Sequence, residues 1–243
     1  MRAAVVVICL VSLLLLPSCV KPPKPPAGMV LIPGGTYRIG GLPDALADHP
    51  PRDVHIEPFM IDVHEATNSR YNRCVILGKC TRVRQFQPDV FNRPNQPVVM
   101  ITIDQARTFC AFEGKSLPTR EQWEVAARGK TNRRYPNGDE TPDESANLMS
   151  ATAIESYRFT TPVGRLYRDR SAFDAFDMTG NVSEFTLDTY STDDETIYTA
   201  MGGNFLTPPE QATTFGIHLL EQETARALWL GVRCVKNVEG HPR

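Results

Sequence analysis

Leu117-Pro-Thr-Arg-Glu-Gln-Trp-Glu-Val-Ala-Ala-Arg-Gly129 is the stretch on which the reading of the fold turns. Thr119 with Gln122 three positions later is a capping box, in which each side chain satisfies a backbone N–H left open at a helix start. Trp123, Ala126 and Ala127 then recur at helical spacing and give one apolar face. Working outward, Thr102 to Phe112 predicts a second amphipathic helix, with Thr102 as N-cap and Gly114 beyond its end. Thr67 to Leu77 predicts a third, ending near Gly78. Upstream, Met29 to Gly40 reads as two short strands joined by the turn residues Pro33-Gly34-Gly35. Val54 to Asp62 alternates like a strand that Pro58 confines to an edge or a bend. From Gly129 onward no long helical period appears. Proline, glycine and aspartate punctuate short segments instead, so this half is expected to be dominated by loops. The sum is a mixed, loop-rich pattern of helices and strands.

The chain has 243 residues and a formal net charge of -2. That balance argues against nucleic acid as a partner, which calls for a basic footprint. Arg2, the apolar run Ala3 to Leu16, and Pro17-Ser18-Cys19 have the order of a secretory signal, and the run is short for a membrane span. Leu16-Pro17-Ser18-Cys19 resembles the bacterial lipobox, which implies cleavage before Cys19 and lipid on its sulfur. Val20 is not the aspartate associated with inner-membrane retention, so the outer membrane is the preferred destination. The proline-rich stretch that follows favours extended conformation and serves as a stiff spacer. The reading is therefore a signal peptide over 1–18, a lipidated tether over 19–27, and one domain over 28–238. The protein is expected to be exported and held at the bacterial envelope through that lipid.

Four cysteines remain in the domain: Cys74, Cys80, Cys110 and Cys234. An even count in an exported chain favours disulfides over a metal site. Cys74 and Cys80 bracket a short segment in which Gly78 permits a turn, and this leaves Cys110 to pair with Cys234. A loop of that size contributes roughly 4–5 kcal/mol in the chain-entropy model. Zinc has no Cys-x-x-Cys here, and His49, His55, His64 and His218 are scattered.

Seven segments occur in order: Gly28-Met-Val-Leu-Ile-Pro-Gly-Gly-Thr-Tyr, Glu65-Ala-Thr-Asn-Ser-Arg-Tyr, Leu117 to Gly129, Arg134-Tyr-Pro-Asn-Gly-Asp-Glu, Asp177-Met-Thr-Gly-Asn-Val-Ser-Glu-Phe, Gly202-Gly-Asn-Phe and Gly231-Val-Arg-Cys. Together they resemble the formylglycine-generating enzyme family, also called the sulfatase-modifying factor family. The resemblance implies a single loop-rich α+β domain, related to the C-type lectin fold and low in regular secondary structure. It also implies a disulfide between Cys110 and Cys234.

The family's oxidation of a substrate cysteine uses copper held by two active-site cysteines, and soft thiolates suit Cu(I). The resemblance places those positions on Thr207 and Ala212, just after Gly202-Gly203-Asn204-Phe205, where the family has serine in place of Asn204. Neither residue offers a thiolate, so no copper and no catalytic residues are expected. Asn181-Val182-Ser183-Glu184-Phe185 and Tyr135-Pro136-Asn137-Gly138 lack the family's tryptophans, and Thr213 to Gln222 lacks its arginines. The related iron-dependent sulfoxide synthases need histidines from a further helical domain.

Structural calcium is the cofactor the resemblance still permits. Calcium takes six to eight oxygens, a mixture that irregular loops supply. One implied set is the Asn181 amide, the Val182 carbonyl and the Glu184 carboxylate. The other is Asn147, the Leu148 carbonyl, Glu155 and the Tyr157 carbonyl. Two functions follow from different classes: a non-catalytic module binding an envelope protein, peptide or glycan, or an enzyme of divergent chemistry on the same surface.

Overall fold

A computed structural model of the chain describes residues 24–41, 50–84, 86–142, 144–149, 159–191 and 196–238. Cys19, His49, Glu155 and Tyr157 lie outside the described residues. The three expected helices are present as α1 (Asn68–Ile76), α3 (Ile103–Phe112) and α4 (Arg120–Arg128), with a one-turn α2 (Pro88–Phe91) between the first two. Thr67, Thr102 and Thr119 are their N-caps, and both Thr102–Gln105 and Thr119–Gln122 close full capping boxes. In the second box the Thr119 N–H donates to Gln122 Oε1 at 3.0 Å, and the Gln122 N–H returns to Thr119 Oγ1 at 3.1 Å.

The segment Met29–Ile39 forms two strands, β1 (Met29–Ile32) and β2 (Gly35–Ile39), which do not pair with each other. Pro33-Gly34 instead redirects the chain between two sheets, and a Cβ on Gly34 would stand 2.8 Å from the Pro58 ring. The Val54–Asp62 reading likewise divides at Pro58, into β3 (Arg52–Ile56) and β4 (Phe59–Asp62). β2 and β3 make an antiparallel ribbon, while β4 lies between β1 and the C-terminal β9 (Val235–Asn237).

The half expected to be dominated by loops holds a four-stranded sheet in the order β7-β6-β5-β8. Its strands are β5 (Ser183–Ser191), β6 (Thr196–Met201), β7 (Ile217–Leu220) and β8 (Leu230–Gly231). β5 escapes a periodicity reading because its buried end carries Ser183, Glu184 and Thr186 beside Phe185. Those polar groups are satisfied by partners distant in sequence, so burial and hydrophobicity diverge there.

α4 is the hinge between layers. Trp123, Val125, Ala126 and Ala127 pack against Ile39, Val54, Phe59 and Met201 in one core cluster. A second cluster joins α1 and α3 to the sheet through Tyr71, Phe109, Phe185, Ala200 and Val232. Cys110–Cys234 is buried in it, and Cys74–Cys80 closes the end of α1. The result is one loop-rich domain of mixed helix and sheet. Among the described residues no helix is long and apolar enough to cross a membrane.

Candidate functional site

A groove of about 1120 Å³ runs over the β6–β7 side of the sheet. Leu206, Thr207, Ile217, His218, Leu219 and Trp229 line it, together with Gly202 and Asn204. β7 is the edge strand of its sheet. Leu206 and Leu219 are both more than half exposed, so apolar surface faces solvent at this groove.

The double glycine that follows β6 sets the shape of this groove. Gly202 has φ +84°, and a Cβ there would stand 2.8 Å from the Trp123 ring. A Cβ on Gly203 would meet the Thr179 carbonyl oxygen at 2.5 Å and the Ala212 methyl at 2.9 Å. Only glycine lets the chain pass this close to α4 and to the Thr179 loop. Asn204 then ties the turn together: its Nδ2 donates to Ser183 Oγ at 2.9 Å, and its Oδ1 accepts from the Leu206 N–H at 2.9 Å. The Gly202 carbonyl accepts from Ser183 Oγ at 2.8 Å and from His218 Nε2 at 2.9 Å. Burial lowers the His218 pKa, partly opposed by that bond, and the ring packs against Trp229 at 5.3 Å.

Thr207 and Ala212 do not form a metal-binding pair. Thr207 Oγ1 accepts from the Asn204 N–H at 3.0 Å, which commits it to the turn. Ala212 is buried in a small apolar cluster with Ala146 and Leu148. The described cysteines are all in disulfides, Cys74 with Cys80 and Cys110 with Cys234. A hydroxyl bound to backbone and a methyl group do not fit a copper ion, which needs soft ligands.

Behind the groove lies a buried polar spine. Trp123 Nε1 donates to Glu184 Oε2 at 2.6 Å, and Arg233 grips both Glu184 oxygens at 2.7–3.0 Å. Arg233 also donates to the carbonyls of Asp62, Val63 and Phe176 at 2.8–3.0 Å. These partners fill the Glu184 carboxylate. The Asn181 side chain is equally engaged: its Nδ2 donates to Glu65 Oε1, and its Oδ1 accepts from Asn147 Nδ2 and the Thr161 N–H, all at 2.9–3.0 Å. The Asn181–Val182–Glu184 set therefore does not fit calcium, because the carboxylate assigned to the ion already serves arginine and tryptophan. Asn147 fits better. Its Oδ1 is buried without a hydrogen-bond partner, as is Glu65 Oε2, and a buried orphan oxygen is what a hard cation relieves.

Two further carboxyls complete this region. Asp169 accepts from the Thr179 and Gly180 N–H groups at 3.0 and 3.2 Å. Burial, with the nearby Asp177 charge, raises its pKa to about 7. Burial also pushes Glu65 well above the ordinary carboxylate range, reinforced by Asp177 and opposed by Arg233. Sequence reasoning did not single out Glu65, Asp169, His218 or Arg233 as structural centres. The available signal was a charge, Arg233, inside the otherwise apolar run Leu230 to Val235.

The model of the sulfatase-modifying factor enzyme 1-like domain matches residues 17–238. The serine/threonine-protein kinase pkn1 of Chlamydia caviae is 31% identical over 192 residues, covering 72% of this chain and 30% of the kinase. This chain thus spans about a third of the length of that relative. The inactive C-alpha-formylglycine-generating enzyme 2 of Bos taurus is 26% identical over 230 residues, 73% of this chain and 76% of that one. Among solved structures, PvdO from Pseudomonas aeruginosa superposes with a TM-score of 0.73 at 21% identity, covering 86% of this chain and 94% of its own.

Proposed function

Because the chain belongs to the sulfatase-modifying factor enzyme 1-like family, we propose that it uses the family scaffold as a non-catalytic binding module, anchored in the bacterial envelope by lipid on Cys19. The observation that carries this reading is the pair Thr207 and Ala212, one bonded to backbone and the other packed in the core, where the family chemistry needs thiolates. A relative named as inactive is in keeping with loss of chemistry from this scaffold.

The ligand sits in the groove beside β7. An edge strand offers unpaired backbone groups to an extended chain, and Leu206, Ile217, Leu219 and Trp229 offer apolar contacts. That combination suits an extended apolar segment of an envelope protein better than a polar glycan. The N-terminal signal, the lipobox-like Leu16-Pro17-Ser18-Cys19 and the proline-rich spacer support delivery to the envelope, with the outer membrane preferred. Asn147 is the residue we assign to structural calcium. Such an ion would steady the Asn147–Asn181 loops and perform no chemistry.

Crosslinking in intact envelope, followed by capture with the wild-type chain and with L206R/L219R, tests the reading. A partner retained by the first and lost by the second is the expected result. Stoichiometric copper binding with oxygen consumption by the purified chain would sink it in favour of a divergent oxidase.

A further inference from the structure

We propose that the exposed end of α1, together with the disulfide-closed loop after it, docks on the anionic surface of a phospholipid membrane. This surface is separate from the groove and does not depend on what the groove binds.

Ile76 is 83% exposed and Leu77 55%, and the two are adjacent at the helix end. Scattered apolar residues on a surface are ordinary. What distinguishes these two is their setting. Arg73, Lys79, Arg82 and Arg84 are all exposed, and none forms an ion pair among the described residues. Between Ala66 and Pro88 the sequence has no acidic residue, in a chain whose net charge is -2. The remaining cation of that stretch, Arg70, is neutralised by Asp62 and Glu113. Arg73 thus lines the same surface as the two aliphatic side chains, and Lys79, Arg82 and Arg84 follow them within an acid-free stretch. Arg73 lies one helical turn before Ile76 and Leu77, so all three share one side of α1.

The tip is also braced. Cys74–Cys80 closes the segment, the Tyr71 hydroxyl donates to the Thr81 carbonyl at 3.1 Å, and Gln105 Nε2 donates to Thr81 Oγ1 at 2.8 Å. Presenting Ile76 and Leu77 therefore carries little ordering cost.

Two aliphatic side chains cannot supply the roughly 800 Å² that a stable protein partner buries per side. A bilayer sets no such minimum. Aliphatic groups enter the acyl boundary while arginine and lysine stems reach the headgroups, and anionic lipid rewards each cation near the surface. A contact this small is weak alone, and here the inference rests on the lipid anchor proposed above: a chain so tethered samples the surface at high effective concentration.

The test is the full chain reconstituted into vesicles of phosphatidylglycerol and phosphatidylethanolamine, carrying L77W, with I76W as a second probe and L187W as an exposed control elsewhere. Fluorescence is read as the difference from wild type, with and without brominated lipid. The L77W and I76W emissions should shift to the blue and be quenched by bromolipid, whereas L187W should not. In phosphatidylcholine vesicles the effect should be lost. In an R73Q/K79Q/R82Q background the contact should weaken about fivefold for each cation removed. Equal quenching of L77W and L187W, none for either tip probe, or equal quenching in both lipids overturns the proposal. A blue shift without bromolipid quenching, accompanied by a doubled sedimentation mass, would mean that the tip binds a second copy, and this also overturns it.

Discussion

Glu184 and Arg233 meet as a fully buried ion pair, with the guanidinium on both carboxylate oxygens at 2.7–3.0 Å and neither side chain reaching solvent. The pair joins β5 to the segment between β8 and β9. The same arginine holds three backbone carbonyls beside the end of β4, and the same glutamate holds Trp123 of α4. One contact thereby fixes the helix, the sheet and the floor of the groove relative to each other.

Breaking that pair from the arginine side should be costly. R233A leaves a buried carboxylate uncompensated and takes a donor from the Asp62, Val63 and Phe176 carbonyls, of which Val63 keeps the Phe176 N–H, an outcome worth about 3–5 kcal/mol. R233M with E184Q removes both charges and keeps the volume, so it should recover much of the loss. Urea unfolding of the wild type, the single variant and the double variant checks this. If R233A alone is within a few tenths of a kcal/mol of wild type, the spine does not hold the fold.

The two disulfides should differ in worth by their loops. Cys110 and Cys234 are 124 positions apart, while Cys74 and Cys80 are separated by 6. Chain entropy assigns about 5 kcal/mol to the long loop and about 2 kcal/mol to the short one. C110A/C234A should therefore lower the unfolding midpoint much further than C74A/C80A, measured by denaturant titration under oxidising conditions. Equal losses would mean that native packing, not loop closure, sets their value.

What could be read in the sequence follows from where the physics is local. Capping boxes, glycine stops and Pro58 act within a few residues, so α1, α3, α4 and an edge or bend at Pro58 are legible directly, whereas the division into two strands of different sheets is not. β5 is not, because Ser183, Glu184 and Thr186 are buried by partners about 13–50 positions away and have no reason to alternate with apolar neighbours. The groove was legible in part. Gly202-Gly203-Asn204-Phe205 and the replacements at Thr207 and Ala212 mark it, but His218 and Trp229 reach it only through the pairing of β6 with β7 and the return of the chain. Glu184 illustrates the limit most directly. As a sequence motif it suggested a calcium ligand, and only the position of Arg233 shows the carboxylate to be already engaged.

Glycine substitutions should separate backbone strain from steric clash. Gly78 has φ +68° with open space around its missing side chain, so G78A should cost only the left-handed penalty of about 1–2 kcal/mol. Gly203 has no such strain, but its Cβ would press on the Thr179 carbonyl and the Ala212 methyl. G203A should cost about 1–3 kcal/mol through overpacking and, unlike G78A, should perturb the groove. Near-ultraviolet circular dichroism, which senses Trp123 and Trp229, distinguishes them: G78A should leave the spectrum unchanged and G203A should alter it.

Asp169 predicts a pH dependence of defined sign. In the folded protein it holds its proton up to about pH 7, because burial and the Asp177 charge oppose ionisation, whereas the unfolded carboxyl ionises near 3.8. Over that interval the native state binds more protons than the unfolded one, so its stability falls as pH rises. The contribution is complete below pH 3.8 and is lost as pH climbs through 7. Its full size is at most about 4 kcal/mol. D169N keeps one oxygen for the Thr179 or Gly180 N–H and removes the titration. Urea unfolding at pH 5 and pH 8 should then show the wild type losing stability relative to D169N across the interval. Glu65 shifts in the same direction but is present in both proteins, so it largely cancels from the comparison. A difference between wild type and D169N that stays constant from pH 5 to pH 8 would mean that Asp169 is ionised throughout, its two N–H donors outweighing burial.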